Sequence, residues 1–246
     1  MHTIYIIVLW LASCVLAMDF GTVSFPGYRL NPARPLGDSV RGEFGVAYAQ
    51  VPEADVHVAS AAGAFGLGMS QVAFASSYTQ MDSLYRLVYS EIDISLVSPW
   101  LVGGVGYGIS VDWIAEGDFS GECWTVNHYK AGLAVVKSPL SLSGMATLVN
   151  HGLFYDVDYV ASFRFDGGRF GAFVEYDGVS VDVGNYLKFA HLSVISAYRF
   201  PEFAVAVSLV FTVGDWSLSG AYGKAYPIWD WFHFTASRVI RKKTIL

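Results

Sequence analysis

The chain has 246 residues, 15 of them Lys or Arg and 21 Asp or Glu, for a net charge of −6, and a mean hydropathy of +0.42. The acidic balance excludes the basic stripe on which nucleic-acid binding rests. No run of about 18 uncharged apolar residues occurs beyond the amino terminus, so spanning helices are excluded and strands must carry the apolarity.

In chain order, Ile4 to Ala17 is an apolar run of signal-peptide length, and Val15-Leu16-Ala17 supplies a small-residue pattern for cleavage before Met18. Export is the expectation for residues 1–17. Leu11-Ala12-Ser13-Cys14 offers an alternative, a lipobox in which Cys14 becomes the acylated first residue. Cleavage after Ala17 is preferred, because a wall that spans the membrane gains little from an added lipid anchor. Residues 18–40, rich in Gly, Pro and Arg without a sustained period, read as an irregular segment.

From Glu43 onward short alternating runs are separated by turn chemistry at Pro52-Glu53, Ser98-Pro99, Ser138-Pro139, Asp166-Gly167-Gly168, Asp177-Gly178, Pro201-Glu202 and Gly214-Asp215. The longest run is Trp100 to Ala115. Leu101, Gly103, Val105, Tyr107, Ile109, Val111 and Trp113 share one parity, and Gly104, Gly106, Gly108, Ser110 and Asp112 the other. Further strands are expected over 129–136, 141–149, 155–165, 170–176, 187–199, 203–213, 216–222 and 231–237. The longest polar connection, Glu116 to Val126, is the expected external loop. The barrel is expected to end at Arg241, leaving 242–246 as a basic tail.

The two faces of these strands differ in a way that decides the fold. One parity is apolar and ends in rings at Trp100, Tyr107, Trp113, Trp216, Tyr222 and Trp231, as a bilayer-facing side with aromatic girdles requires. The other collects Glu43, Glu91, Asp93, Asp112, Lys130, Asp158, Arg164, Arg169, Glu175, Asp182, His191 and Arg199. A soluble sandwich would bury those charges at a large desolvation cost. The expected fold is therefore an all-β, transmembrane antiparallel barrel of about 12 strands, with 10 or 14 as the even-numbered neighbours. Gly104, Gly106, Gly108, Gly132, Ala134, Ala204 and Ala206 make part of its inner face small, and the 18–40 segment is expected to enter against that sector.

Asn31-Pro32-Ala33, the Gly-rich stretch from Ala61 to Gly68, and Tyr89-x-Glu91 leading into a Gly-rich strand resemble the outer-membrane group of FadL-like fatty-acid channels and PorV-like secretion proteins. The resemblance implies a barrel with a plugged lumen that passes hydrophobic molecules or assists secretion through a partner. The primary expectation is a small channel or transporter-like barrel, the alternative a non-conducting structural or secretion-accessory barrel.

Chemistry-bearing motifs are few. His191-x-Ser193 places an imidazole and a hydroxyl on one strand face, the minimum for acyl transfer, and is similar to the His-x-Ser of outer-membrane phospholipases and lipid A deacylases. Parity turns both residues inward, away from lipid, so a lumenal polar pair is expected and an acyl hydrolase is the third alternative. Asp156 and Asp158 share a face but supply only two carboxylates, so an ion pair with Arg164 or Arg169 is expected in place of a bound cation. The glycines at 103, 104, 106 and 108 precede no helix and form no phosphate loop. Once the first 17 residues are removed Cys123 stands alone, which excludes an intramolecular disulfide and a zinc site. No cofactor is implied, and the expected surroundings are membrane lipid.

Overall fold

The computed structural model describes residues 39–51, 54–82, 85–114, 121–152, 154–201, 203–225 and 229–241. The readings made for 1–17, for 18–38 and for the tail at 242–246 lie outside the described residues. Within them run fourteen strands: β1 (Ser39–Val51), β2 (Ala54–Leu67), β3 (Ser70–Met81), β4 (Tyr85–Val97), β5 (Leu101–Ile114), β6 (Cys123–Lys137), β7 (Leu140–Asn150), β8 (Tyr155–Asp166), β9 (Phe170–Tyr176), β10 (Val181–Lys188), β11 (Leu192–Phe200), β12 (Ala204–Val213), β13 (Trp216–Ala225) and β14 (Trp229–Arg241). Each pairs antiparallel with its chain neighbours. β1 pairs in addition with β14, from Ser39 opposite Arg241 to Gln50 opposite Asp230, which closes the sheet into a barrel.

Fourteen strands stand where about twelve were expected, because the connections are short: only residues 115–122 exceed four. β1 starts at Ser39, two residues before the expected boundary. The expected external loop shrinks likewise, since Cys123 to Val126 already belong to β6. The run expected over 187–199 is two strands, with 189–191 as their turn. Its phase shows the break: Leu187 faces outward on an odd number and the outward row of β11 falls on even ones.

The turns form where the sequence supplies their chemistry. Gly68, Gly168, Gly178 and Gly214 adopt the positive φ that a tight reversal requires. Asp177 Oδ1 accepts from the backbone N–H of Val179 and Ser180, at 3.1 and 2.7 Å, and Asp166 Oδ1 accepts from that of Gly168 at 2.9 Å. Both chain ends of the barrel and the turns at 68–69, 98–100, 138–139, 167–169, 189–191 and 214–215 lie at one rim, called the near rim. The far rim carries the odd-to-even connections, including 115–122.

The barrel is apolar outside and polar within. Val105, Leu133, Leu142, Phe163, Val205 and Leu218 on outward positions are 43% or more exposed, whereas inward Glu91, Asp93, Lys130, Asp182 and Arg199 are 7% or less. On β3 to β6 the outward row of Phe74, Ile92, Tyr107 and Tyr129 is followed by Ser76, Ser90, Ile109 and Asn127. Tyr107 Oη donates to Asn127 Oδ1 at 2.7 Å between these rows, and Ser76 Oγ lies 2.9 Å from Ser90 Oγ.

Glycines let rings lie flat on the wall. Tyr186 covers Gly171 and Phe173 covers Gly184 on the inner side, each ring directly opposite its glycine across the β9–β10 ladder, so that a Cβ at either glycine would collide with the ring. Phe74 covers Gly63 in the same way on the outer side. Rings laid over facing glycines fix the register of both hairpins.

Candidate functional site

The inner wall is the place where chemistry gathers, and the ladder arranges it in transverse rows. Asp93, Gly106, Lys130, Thr147 and Asp158 stand opposite one another across β4 to β8; one step toward the far rim stand Glu91, Gly108, His128, Val149 and Asp156. Lys130 on β6 forms an ion pair with Glu91 on β4, crossing β5 where it presents glycine. A Cβ at Gly106 would collide with Asp93 Oδ1, and one at Gly108 would come within 2.6 Å of Tyr89 Oη. The glycines expected to form a smooth wall beside a plug therefore hold side chains of the neighbouring strand.

Around this pair a polar network lines the wall. Tyr89 Oη donates to Glu91 Oε2 at 2.6 Å, and the Lys130 ammonium lies 5.7 Å from the Tyr89 ring centre. His128 Nε2 is 3.1 Å from Ser110 Oγ, and its ring meets Tyr89 edge to face at 5.2 Å. Toward the far rim Tyr85 Oη donates to Asp112 Oδ1 at 2.7 Å. Asp93, Ser95, Gln71 and Val102 are 1% exposed, so this sector of the wall is closed to solvent.

A second ion pair lies on the opposite sector. Arg199 Nε and Nη2 donate to the two carboxylate oxygens of Asp182 at 2.7 and 2.6 Å, with Asp177 3.6 Å away. Asp182 also stands opposite Glu175 on β9. Near the other rim Tyr186 lies between two cations, with Lys188 4.6 Å and Arg164 5.3 Å from its ring centre. Between these groups Phe173, Tyr186, Ile195, Ala197 and Val210 form an apolar patch on the inner wall.

Several expected placements change. Arg169 lies in the 167–169 turn and is exposed at the near rim, and does not line the wall. Asp156 faces His151 Nε2 at 3.4 Å and forms no pair with Arg164; six residues of β8 separate Asp158 from Arg164, about 20 Å of strand. The side chain of Trp231 lies outside those described. Trp100 at the near rim, Tyr107, Trp216 and Tyr222 are exposed at outward positions, and Trp113 is half-buried on the same parity.

His191 and Ser193 are not brought together as a reacting pair. His191 lies in the turn before β11, where Nδ1 is 3.2 Å from the carbonyl oxygen of Thr212. That oxygen only accepts, so Nδ1 carries the proton and the ring is tied to the turn backbone. Among the described residues no three His, Cys, Asp or Glu side chains gather closely enough to hold a metal ion.

Sequence reasoning missed Tyr85, Tyr89 and His128 on the inner wall, although each shares the parity of a charge it did find; Ser110 it had already placed on the inner parity of β5. It also missed Tyr129 and Tyr176 among the outward rings, whereas Tyr159 was read as outward from its parity on β8.

No family model and no curated relative matches the sequence. Solved structures do resemble the fold. A triple mutant of the Rhodopseudomonas blastica porin aligns with a TM-score of 0.46 at 7% identity, over 82% of this chain and 99% of its own. CdiB from Acinetobacter baumannii aligns with a TM-score of 0.50 at 9% identity, over 84% of this chain and 61% of its own. At such identities the likeness is one of fold, the closed antiparallel membrane barrel.

Proposed function

We propose that the chain is a narrow outer-membrane channel through which small polar solutes diffuse, its 115–122 connection facing outward. One observation carries this reading: the charged side chains lie along the wall instead of across the lumen. Lys130 reaches Glu91 over glycines, and Arg199 grips Asp182 on the adjacent strand. With strands about 4.8 Å apart and tilted about 40°, the fourteen found here close a ring about 28 Å across between backbones. Side chains paired along the wall do not bridge the lumen.

The inner patch of Phe173, Ile195 and Val210 favours a second reading, passage of hydrophobic solutes, which the FadL-like resemblance also implies. The secretion-accessory alternative requires no conduction. Purified full-length protein in planar bilayers separates these readings. Discrete conductance steps are expected; a protein that inserts without steps overturns the channel in favour of a non-conducting scaffold. Block of those steps by fatty acid, with no transport of small sugars into proteoliposomes, would favour the hydrophobic path.

A further inference from the structure

The wall is not level. β7 accompanies β8 along its length, from Tyr155 opposite Asn150 to Phe165 opposite Leu140, but β9 pairs only with Ala161 to Asp166. The turn after β9 comes alongside Tyr159, whose Oη is 3.4 Å from Tyr176 Oη, and Tyr176 Oη donates to the Gly178 carbonyl at 2.9 Å. Beyond that point residues 155–158 have, among the described residues, no strand on their second side.

This open edge stands clear of the bilayer. β9 has 7 residues and β10 has 8, fewer than the roughly 9–11 that a tilted strand uses to cross hydrocarbon. The wall is therefore lowest at the 177–180 turn, and β8 stands above it. That residues 155–158 stand in water follows from the edge itself, since unpaired backbone is not tolerated against lipid.

The edge has a defined chemistry. Tyr155 and Val157 point outward, 61% and 62% exposed. Asp156 and Asp158 point the other way and are also exposed, Asp156 with its carboxylate 3.4 Å from His151 Nε2. Asp177 stands in the adjoining turn, so the ground beside the edge is acidic.

We propose that the free edge of β8 receives an extended basic peptide as an added strand. Backbone hydrogen bonds give the attachment, Lys or Arg at alternate positions face Asp156 and Asp158, and apolar residues of the other parity lie beside Tyr155 and Val157. A second copy is a poor occupant, because edge-to-edge pairing sets these carboxylates against one another. β14 ends at Arg241 on the near rim, a full wall away.

The test uses full-length protein in nanodiscs and a fluorescein-labelled octapeptide of alternating Lys and Val, followed by fluorescence anisotropy. Saturable binding is expected. Methylating alternate backbone nitrogens of the peptide should weaken it about tenfold or more, by removing two or three hydrogen bonds. The double variant Asp156→Asn, Asp158→Asn should weaken it by about tenfold, with the heat-modifiable gel mobility of a folded barrel retained. Absence of binding overturns the proposal. So does equal affinity for the methylated peptide, which would mean attraction to an acidic rim without strand addition. A dimer by mass photometry that excludes the peptide would assign the edge to a second copy and overturn it too. None of these readouts depends on whether the lumen conducts.

Discussion

Lys130 on β6 reaches Glu91 on β4 across the whole width of β5, and the strand it crosses presents Gly106 and Gly108 along that path. Non-adjacent strands are thereby joined on the inner wall by a pair whose side chains are 5% and 2% exposed. The alternation of glycine along β5 is a packing requirement of β4 and β6. It says little about β5 itself.

Gly106→Ala should therefore destabilise the barrel although Ala is the better strand residue. Its Cβ falls on Asp93 Oδ1 and 3.4 Å from Lys130 Cβ, and forcing an atom into a packed site costs about 1–3 kcal/mol. Gly144→Ala on the outer face of β7, where the nearest atom is 3.8 Å away, should be neutral or slightly stabilising. Urea unfolding in detergent micelles, followed by tryptophan fluorescence, checks the contrast. Equal midpoints for the two variants would show that the side chains over β5 are not fixed.

Removing one partner of the pair should cost more than removing both. Lys130→Met strands the Glu91 carboxylate on a closed wall, a loss of about 3–5 kcal/mol for a buried pair. Adding Glu91→Gln removes the stranded charge, and the double variant should recover most of the loss. Tyr89 remains a hydrogen-bond partner for the amide. A double-mutant cycle on unfolding midpoints measures this, and additivity of the two single losses would contradict a direct pair.

How much of this was legible in the sequence depends on which partner had to be known. Parity along β5, β8 and β12 separates lipid face from lumen face because a pleat alternates with a period of 2. That is why Val105, Phe163 and Val205 read correctly as wall exterior. The Lys130–Glu91 pair did not read at all, since its members are 39 residues apart and meet only through the register of β5. Arg169 and His191 failed for a different reason. Both continue the alternation of a neighbouring strand and sit in turns without a strong turn signal at their own position, so parity was carried past the strand end.

The outer face should tolerate charge by depth. Val105 on β5 is 61% exposed and points outward between Leu101 and Tyr107. Val105→Lys sets a charge on the lipid face and should cost about 2 kcal/mol or more. Ser219→Lys, on the inner wall of β13, puts the same charge toward water and should cost less. Folding into liposomes at graded urea, read by tryptophan fluorescence, ranks the two. A cheaper substitution at Val105 than at Ser219 would invert the assignment of faces.

Acyl transfer from His191 and Ser193 requires an imidazole free to take the proton of the serine hydroxyl. Here Nδ1 is held to the Thr212 carbonyl in an exposed turn, and Ser193 begins the inward row of β11. Nε2 remains available as a base, but no contact directs it to Ser193 Oγ. Purified protein should release no more fatty acid from phospholipid micelles than a detergent blank, and Ser193→Ala should leave that background unchanged. A turnover above the blank that disappears in both Ser193→Ala and His191→Gln would establish the hydrolase. It would also require the turn at 189–191 to rearrange, which Phe189 N–H donating to the Leu192 carbonyl at 2.7 Å opposes.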